Sequence, residues 1–335
     1  MSKSAFASSL TRREALAVLA FARAGAAQKP PKMRALGTVS KTLPRFSEQS
    51  REHLAGLLDD LRFQGRLPAE AARQIAAQEG RSIDQLMIDL LPLAQSFSRP
   101  PVSNYRVGAI VQGTSGDLYL GANLEVPAAL VFSVHAEQSA SCNAYLGGDS
   151  GIAALAVTAA PCGHCRQFLY ELSDGHDIRI LLASGFRSRL SALLPYPFGP
   201  RDLGITEPPF SRKPLSISLD TSRGDDLAMA ALDMARKSYA PYSKSLSGVA
   251  VRSLTGRVYS GAYLENAAFN PSLSPLEAAL AGMSMGNEDF ADIDAVALVE
   301  IDRASISQES ATRAVMETLA PKSHLHVLKG RLIPA

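Results

Sequence analysis

The stretch VGAIVQGTSGDLYLGANLE, residues 107–125, decides the fold, because a second version of it occurs later in the chain. Adding 140 to each residue number places it, without a gap, on SGVAVRSLTGRVYSGAYLE, residues 247–265. Each version is typical of two strands joined by a turn at a glycine. Glycines at turns and apolar strand residues are what a shared backbone holds fixed. The matches include Gly108 with Gly248, Gly116 with Gly256, Tyr119 with Tyr259 and Gly121 with Gly261. We therefore expect residues 223–329 to repeat the fold of residues 99–206.

The residues after the first stretch alternate between helix and strand patterns. HAEQSASCNAYL predicts a helix, LAVTA a strand, CRQFLYEL a helix and IRILLAS a strand. A strand–helix–strand order favours two parallel strands with a helix packed across the sheet. The sequence thus predicts an α/β fold in two copies, with residues 207–222 as the linker between them.

Residues 47–98 predict a small helical domain in front of the first copy. Ser47 can cap a helix that Gly65 closes, and Pro68 can start a second helix. Ser82 and Gln85 have the spacing of a capping box at the start of a third. Such short helices have little to bury against alone, so we expect them to pack on a neighbouring domain.

Length and composition exclude several classes of function. A chain of 335 residues indicates two or three domains. It has 34 basic and 32 acidic residues, and this balance argues against a nucleic-acid partner. No apolar run approaches the ~20 residues that span a bilayer, so we expect no membrane association. Three cysteines, two of them in C-x-x-C, indicate metal or redox chemistry in a reducing compartment.

Residues 1–46 form a basic tail in which nine Lys and Arg residues accompany a single acid, Glu14. Three interpretations stay open: a disordered tail, a mitochondrial-type transit peptide, and a twin-Arg or secretory signal at Arg12 and Arg13. We place the disordered tail first. A disordered tail is consistent with a cytoplasmic protein. A transit peptide would instead indicate a mitochondrial location, which is the alternative.

Two motifs about 25 residues apart predict one metal site. HAEQSA begins at His135, and PCGHC supplies Cys162 and Cys165. With Pro161 as a helix starter, both cysteines lie at a helix N-terminus, where the dipole favours thiolates. An imidazole and two thiolates are three zinc ligands. A catalytic zinc site leaves its fourth position to water, which ionises near neutral pH.

Three nearby residues need separate interpretations. Cys142 would lie about 10 Å along the helix from His135, too far to be a ligand, so we expect a buried apolar residue. His164 points away from the face of the two cysteines and is expected to be exposed or outside the ligand set. Glu137 can carry protons beside the metal, or it can be an ordinary acid stabilised at a helix N-terminus.

H-x-E combined with P-C-x-x-C is the known signature of zinc-dependent nucleobase deaminases. HAEQSA, PCGHCRQF, SNYRVGAI, GANLE and FGPRDL together resemble cytidine deaminase of the two-domain, homodimeric kind, over residues from about 50 to 329. The resemblance implies two three-layer α/β/α domains, each a mixed sheet flanked by helices. The catalytic zinc domain would be residues 99–206. Residues 223–335 would be a degenerate copy without metal, since Pro275 replaces His135 and no cysteine follows Cys165.

The resemblance also implies an activity and a set of site residues. The activity is hydrolytic deamination of cytidine and deoxycytidine, with attack at C4 of the pyrimidine and proton transfer by Glu137. Tyr105, a Phe in most relatives, would stack on the base, and Asn123 with Glu125 would bind the ribose. Phe198 and residues 240–245 would close the pocket across the dimer interface, although Phe198 could equally anchor its own loop.

Alternatives from other classes remain at this point. A zinc deaminase of another nucleoside or base would share the motifs. A non-enzymatic zinc module or a C-x-x-C redox protein would need only Cys162, Cys165 and their neighbours. An enzyme that edits nucleic acid would need a basic groove, which the near-neutral charge outside the tail disfavours.

Overall fold

The computed structural model of the chain describes residues 31–127, 129–173, 177–207, 209–219 and 225–333. The predictions for residues 1–30 lie outside these ranges. The N-terminal unit contains α1 (Pro31–Thr42), α2 (Glu48–Leu58), β1 (Arg66–Leu67), α3 (Ala69–Gln78), α4 (Ile83–Asp89) and α5 (Leu91–Ser96). None of the helices described is both long enough and apolar enough to cross a membrane.

The helical unit begins earlier than residue 47. Helix α1 packs on α2 and α5, and it is followed by further buried side chains. Val39, Leu43 and Phe46 are at most 5 % exposed. The basic composition of residues 1–46 concealed this apolar spacing of four and three residues, which is a helical pattern. A second difference is that α2 ends at Leu58, while Gly65, with a φ of 97°, leads into β1.

The first copy is a mixed sheet between helices. Its elements are β2 (Gly108–Gly113), β3 (Leu118–Ala122), α6 (Ala136–Leu146), β4 (Ile152–Val157), α7 (Gly163–Leu172), β5 (Arg179–Leu182), β6 (Arg187–Arg189) and α8 (Leu190–Leu193). The strand order is β1-β3-β2-β4-β5-β6. β4 and β5 are parallel, joined by the crossover through α7, and the other pairs are antiparallel. α4 and α5 contact one face and α6 the other, in three layers.

The second copy repeats this arrangement, which confirms the α/β prediction. Its elements are β7 (Ile217–Leu219), α9 (Asp226–Lys237), β8 (Ser247–Ser253), β9 (Val258–Ala262), α10 (Pro275–Met285), β10 (Ile293–Ile301), α11 (Glu309–Leu319) and β11 (His324–Leu332). The strand order is β7-β11-β10-β8-β9, with β10 and β11 parallel. β7 lies in the expected linker and instead pairs with β11 as an edge strand.

The glycines of the repeat allow a helix to lie directly on the sheet. A Cβ on Gly121 would come within 2.2 Å of the backbone nitrogen of Ala140 in α6. In the second copy a Cβ on Gly261 would come within 2.2 Å of the carbonyl oxygen of Pro275 in α10. α6 and α10 also pack on each other, and one apolar core runs through both copies. This close approach fixes the helix that begins at His135.

Candidate metal and catalytic site

His135 is the residue at which α6 begins. Its backbone is extended, with φ −80° and ψ 154°, so its side chain reaches beyond the first turn. Gln138 holds this start, because Gln138 Oε1 accepts a hydrogen bond from the His135 backbone N–H at 3.2 Å. Gln138 Nε2 donates in turn to the carbonyl oxygen of Pro271 in the second copy at 3.2 Å. Sequence reasoning missed Gln138, although a Gln three residues after a helix cap is the capping-box signal.

Cys162 and Cys165 lie at the start of α7, directly after β4. Cys162 is the cap and Gly163 the first helical residue, so Pro161 precedes the helix and does not start it as expected. Arg166 Nε donates to the Pro161 carbonyl oxygen at 2.8 Å and closes this turn. Both thiols therefore lie near the free backbone N–H groups of the first turn and near the positive end of the helix dipole.

The three predicted ligands come together in space. His135 Nδ1 lies 3.5 Å from Cys162 Sγ and 3.2 Å from Cys165 Sγ, and the two sulfurs are 3.6 Å apart. Zinc–sulfur and zinc–nitrogen bonds of about 2.3 and 2.1 Å in a tetrahedron would place such atoms roughly 3.5 to 3.8 Å apart. The donor set and its spacing thus fit zinc, and no fourth His, Cys, Asp or Glu joins this group in the described chain.

Glu137 lies beside the ligands. Its side chain is 5 % exposed, and its carboxyl group is close enough to Cys165 and His135 for both to act on its pKa. Burial raises the pKa of Glu137. The hydrogen bond between the two sulfurs, aided by His135, lowers the pKa of Cys162 to about 4, and the same contact raises the pKa of Cys165. The arrangement can hold a metal on three sides with a carboxyl group against it.

The two neighbours are not part of the ligand group. Cys142 is fully buried, and burial raises the pKa of its thiol to about 12. The ring of His164 stacks on that of His135 with centroids 5.4 Å apart and an angle of 26° between the planes. His164 is half-buried rather than exposed, and this burial lowers its pKa. It therefore covers one side of the His135 ring.

The residues assigned to the substrate form a second group around the loop before β2. Asn123 Nδ2 donates to the Tyr105 carbonyl oxygen at 2.9 Å, and Asn123 Oδ1 accepts from the Val107 N–H at 2.8 Å. Glu125 accepts from the N–H groups of Val102 and Ser103 at 2.8 and 3.0 Å. Partial burial raises the pKa of Glu125, but these bonds outweigh it and leave the pKa below its ordinary value. The Tyr105 side chain is 61 % exposed.

Phe198 is 48 % exposed, on a loop that rests on α7. Gln167 Nε2 donates to the Phe198 carbonyl oxygen at 2.7 Å. A Cβ on the next residue, Gly199, would come within 2.3 Å of the Tyr170 ring. The loop is thus positioned by the helix that carries the cysteines, which sequence reasoning did not foresee. Its contacts anchor the loop backbone and leave the Phe198 ring free to meet a ligand or a partner.

The second copy also has a carboxylate at the position equivalent to Glu137, but there the carboxylate caps a helix. Glu277, the counterpart of Glu137, forms a capping box at the start of α10. The Ser274 N–H donates to Glu277 Oε2 at 2.7 Å, and the Glu277 N–H donates to Ser274 Oγ at 3.2 Å. Pro275 stands in place of the histidine. Burial raises the pKa of Glu277 to about 7.

We predict that Glu277→Gln removes a pH dependence of the free energy of unfolding. Because the pKa of Glu277 is about 7 when folded and 4.5 in the reference state, the folded chain binds the extra proton between these values. Wild-type stability then falls as pH rises through this window, by about 3 kcal/mol. The glutamine amide of the variant cannot titrate, so the variant should gain this amount relative to wild type between pH 5 and pH 8. Urea unfolding at both pH values measures it, and parallel curves would contradict it.

Comparison with known proteins agrees with the geometry. Two family models, both described as the zinc-binding region of cytidine and deoxycytidylate deaminase, match residues 81–178 and 190–313. The chain is 40 % identical over 289 residues to a cytidine deaminase of Shewanella pealeana, covering 86 % of this chain and 97 % of that protein. Cytidine deaminases of Shewanella loihica and Cronobacter sakazakii are 43 % and 45 % identical over 267 residues, 79 % of this chain and 90 % of each relative. The chain belongs to the cytidine deaminase family, with two deaminase domains in one polypeptide.

Proposed function

We propose that the site at His135, Glu137, Cys162 and Cys165 deaminates cytidine and deoxycytidine by hydrolysis, giving uridine or deoxyuridine and ammonia. The observation that carries this proposal is the buried carboxyl group of Glu137 beside the group of three metal-binding residues His135, Cys162 and Cys165. A structural zinc site or a redox pair has no use for such a group. This is the chemistry of pyrimidine salvage.

Zinc is the cofactor, and when bound it lowers the pKa of a water ligand so that a hydroxide nucleophile is available near neutral pH. Glu137 takes the proton of the water and delivers it to N3 as the new C–O bond forms at C4. It then takes the proton of the new C4 hydroxyl group and delivers it to the exocyclic amine, so that the C4–N bond breaks, the C4 oxygen becomes a carbonyl and ammonia leaves.

The group around the loop before β2 is proposed to bind the nucleoside. The exposed Tyr105 ring offers a face for the pyrimidine, and Asn123 with Glu125 offers an amide and a carboxylate for sugar hydroxyls. The hydrogen bonds that Glu125 accepts from Val102 and Ser103 keep it ionised. A carboxylate at the sugar repels phosphate, so nucleosides rather than nucleotides are the expected substrates.

We also propose a homodimer in the cytoplasm. Several large apolar side chains in the described first copy are at least 42 % exposed: Tyr105, Leu130, Val131, Tyr196, Phe198 and Leu203. Burial against a second chain would remove this surface from water. Phe198 and residues 240–245 would then close the pocket of the partner.

Zinc analysis and substrate turnover test the function together. Purified protein should hold one zinc ion per chain, and cytidine and deoxycytidine should both lose the cytosine absorbance with release of ammonia. Cytidine monophosphate should react at least 100-fold more slowly, because Glu125 disfavours its phosphate. Zinc-loaded protein that turns over none of these compounds would overturn the proposal.

A further inference from the structure

The helix that carries the two cysteines is attached to the second copy through a buried carboxylate. Glu171 lies on α7 and is 2 % exposed. Its Oε1 accepts hydrogen bonds from the hydroxyl groups of Tyr239 at 2.8 Å and Tyr242 at 2.6 Å. Its Oε2 accepts a third from the backbone N–H of Ala267 at 2.9 Å. Glu171 thus acts only as an acceptor, and all three donors belong to the second copy.

A second attachment lies one turn earlier on α7. Asn266 Nδ2 donates to the Gln167 carbonyl oxygen at 3.1 Å. The donors themselves are held, because the Tyr242 backbone N–H donates to Glu265 Oε2 at 2.8 Å. The second copy therefore contacts two successive turns of the helix that begins with Cys162.

The first copy does not have tyrosines at the positions equivalent to Tyr239 and Tyr242. In the first copy they are Arg99 and Val102. Arg99 donates to the Glu288 carbonyl oxygen at 2.6 Å and to Ser284 Oγ at 3.3 Å, next to and on α10. The tyrosine–glutamate contact is thus directed from the second copy to the helix with the cysteines.

We propose that Glu171 is a positioning residue through which the second copy holds Cys162 and Cys165 against His135. A helix is stiff, and Glu171 is about 9 Å along it from Cys165, so an anchor there fixes the thiolates. The inference rests on the proposed function only in taking these three residues as the zinc site. In this arrangement the second copy, in whose described residues no group of metal ligands occurs, maintains the ligand geometry of the first copy.

Tyr242→Phe and Glu171→Gln test this in the full-length zinc protein. Zinc release to a chromophoric chelator should become about tenfold faster, the lower end of the effect of groups that orient metal ligands. The cobalt-substituted protein should show a shifted thiolate-to-cobalt absorption. If Glu171 supports only the fold, the variants lower Tm, while zinc release and cobalt spectrum below Tm remain as in wild type. That result would overturn the proposal.

Tyr259→Phe is the matched control. It removes another tyrosine hydroxyl of the second copy, fully buried and without a hydrogen-bond partner among the described residues. Zinc release should equal that of wild type, and equal acceleration in both Tyr→Phe variants would refute the inference. If Glu171→Gln does not fold, Tyr239→Phe takes its place, because each tyrosine variant removes only one of the hydroxyl groups that donate to Glu171.

A wild-type protein that contains no zinc would instead contradict the proposed function.

Discussion

Glu137→Gln should lower kcat for cytidine by several orders of magnitude while zinc content and Tm stay at their wild-type values. Gln has the shape of Glu, so the packing beside Cys165 is kept. It cannot take a proton from water or give one to the leaving amine, and proton transfer of this kind contributes about 10² to 10⁴ in rate. Because the same residue serves both proton transfers, the full loss should approach or exceed the upper figure. Steady-state turnover with zinc-matched samples measures it.

Glu277→Gln is the control that the repeat supplies. The two glutamates are related by the offset of 140 and both are 5 % exposed, but Glu277 caps α10 beside Pro275 instead of a metal ligand. Turnover by Glu277→Gln should equal wild type at pH 8. If Glu137→Gln retained more than a tenth of wild-type kcat, Glu137 would be the ordinary helix acid of the alternative interpretation.

The metal group could be predicted from sequence because its members are close along the chain and each belongs to a helix start. The spacing of Cys162 and Cys165 and the short motif at His135 contain most of the geometry. The repeat was visible for a related reason: a Cβ on Gly121 or Gly261 would lie 2.2 Å from a helix backbone atom, so no other residue fits without a shift. Where the backbone imposes a residue type, the sequence displays it.

Other features depend on partners that are distant in sequence. The partners of Glu171 in the second copy are 68 to 96 residues away in the sequence, and no pattern within the segment CRQFLYEL predicts these contacts. Likewise β7 pairs with β11, more than 100 residues away, inside residues 207–222, which were expected to be a linker. The repeat also becomes harder to follow after α10. α7 begins at Gly163 and α11 at Glu309, an offset of 146 rather than 140, mainly because β10 is three residues longer than β4 and the loop after it is two residues longer.

Cys162→Ala should weaken zinc binding by more than a hundredfold and abolish cytidine turnover in parallel. Closed four-ligand zinc sites bind with about 10 to 16 kcal/mol, so each ligand contributes roughly 2.5 to 4 kcal/mol, with a thiolate expected toward the upper end. Since 1.4 kcal/mol is a factor of ten, losing one thiolate costs at least two powers of ten. This site has only three protein ligands in the described chain, and the described group contains no further residue that could replace a lost one. Zinc per chain after chelator competition measures the effect.

Cys142→Ala provides the comparison, since that cysteine is fully buried and apart from the metal group. It should keep zinc and turnover within a factor of two. The same pair of variants separates a metal site from a redox pair. In a zinc protein, a Cys162–Cys165 disulfide forms only after the metal is removed, because the thiolates are occupied as ligands. If oxidation proceeded at the same rate with and without chelator, the two thiols would not be holding zinc, and the proposed hydrolysis would lose its cofactor.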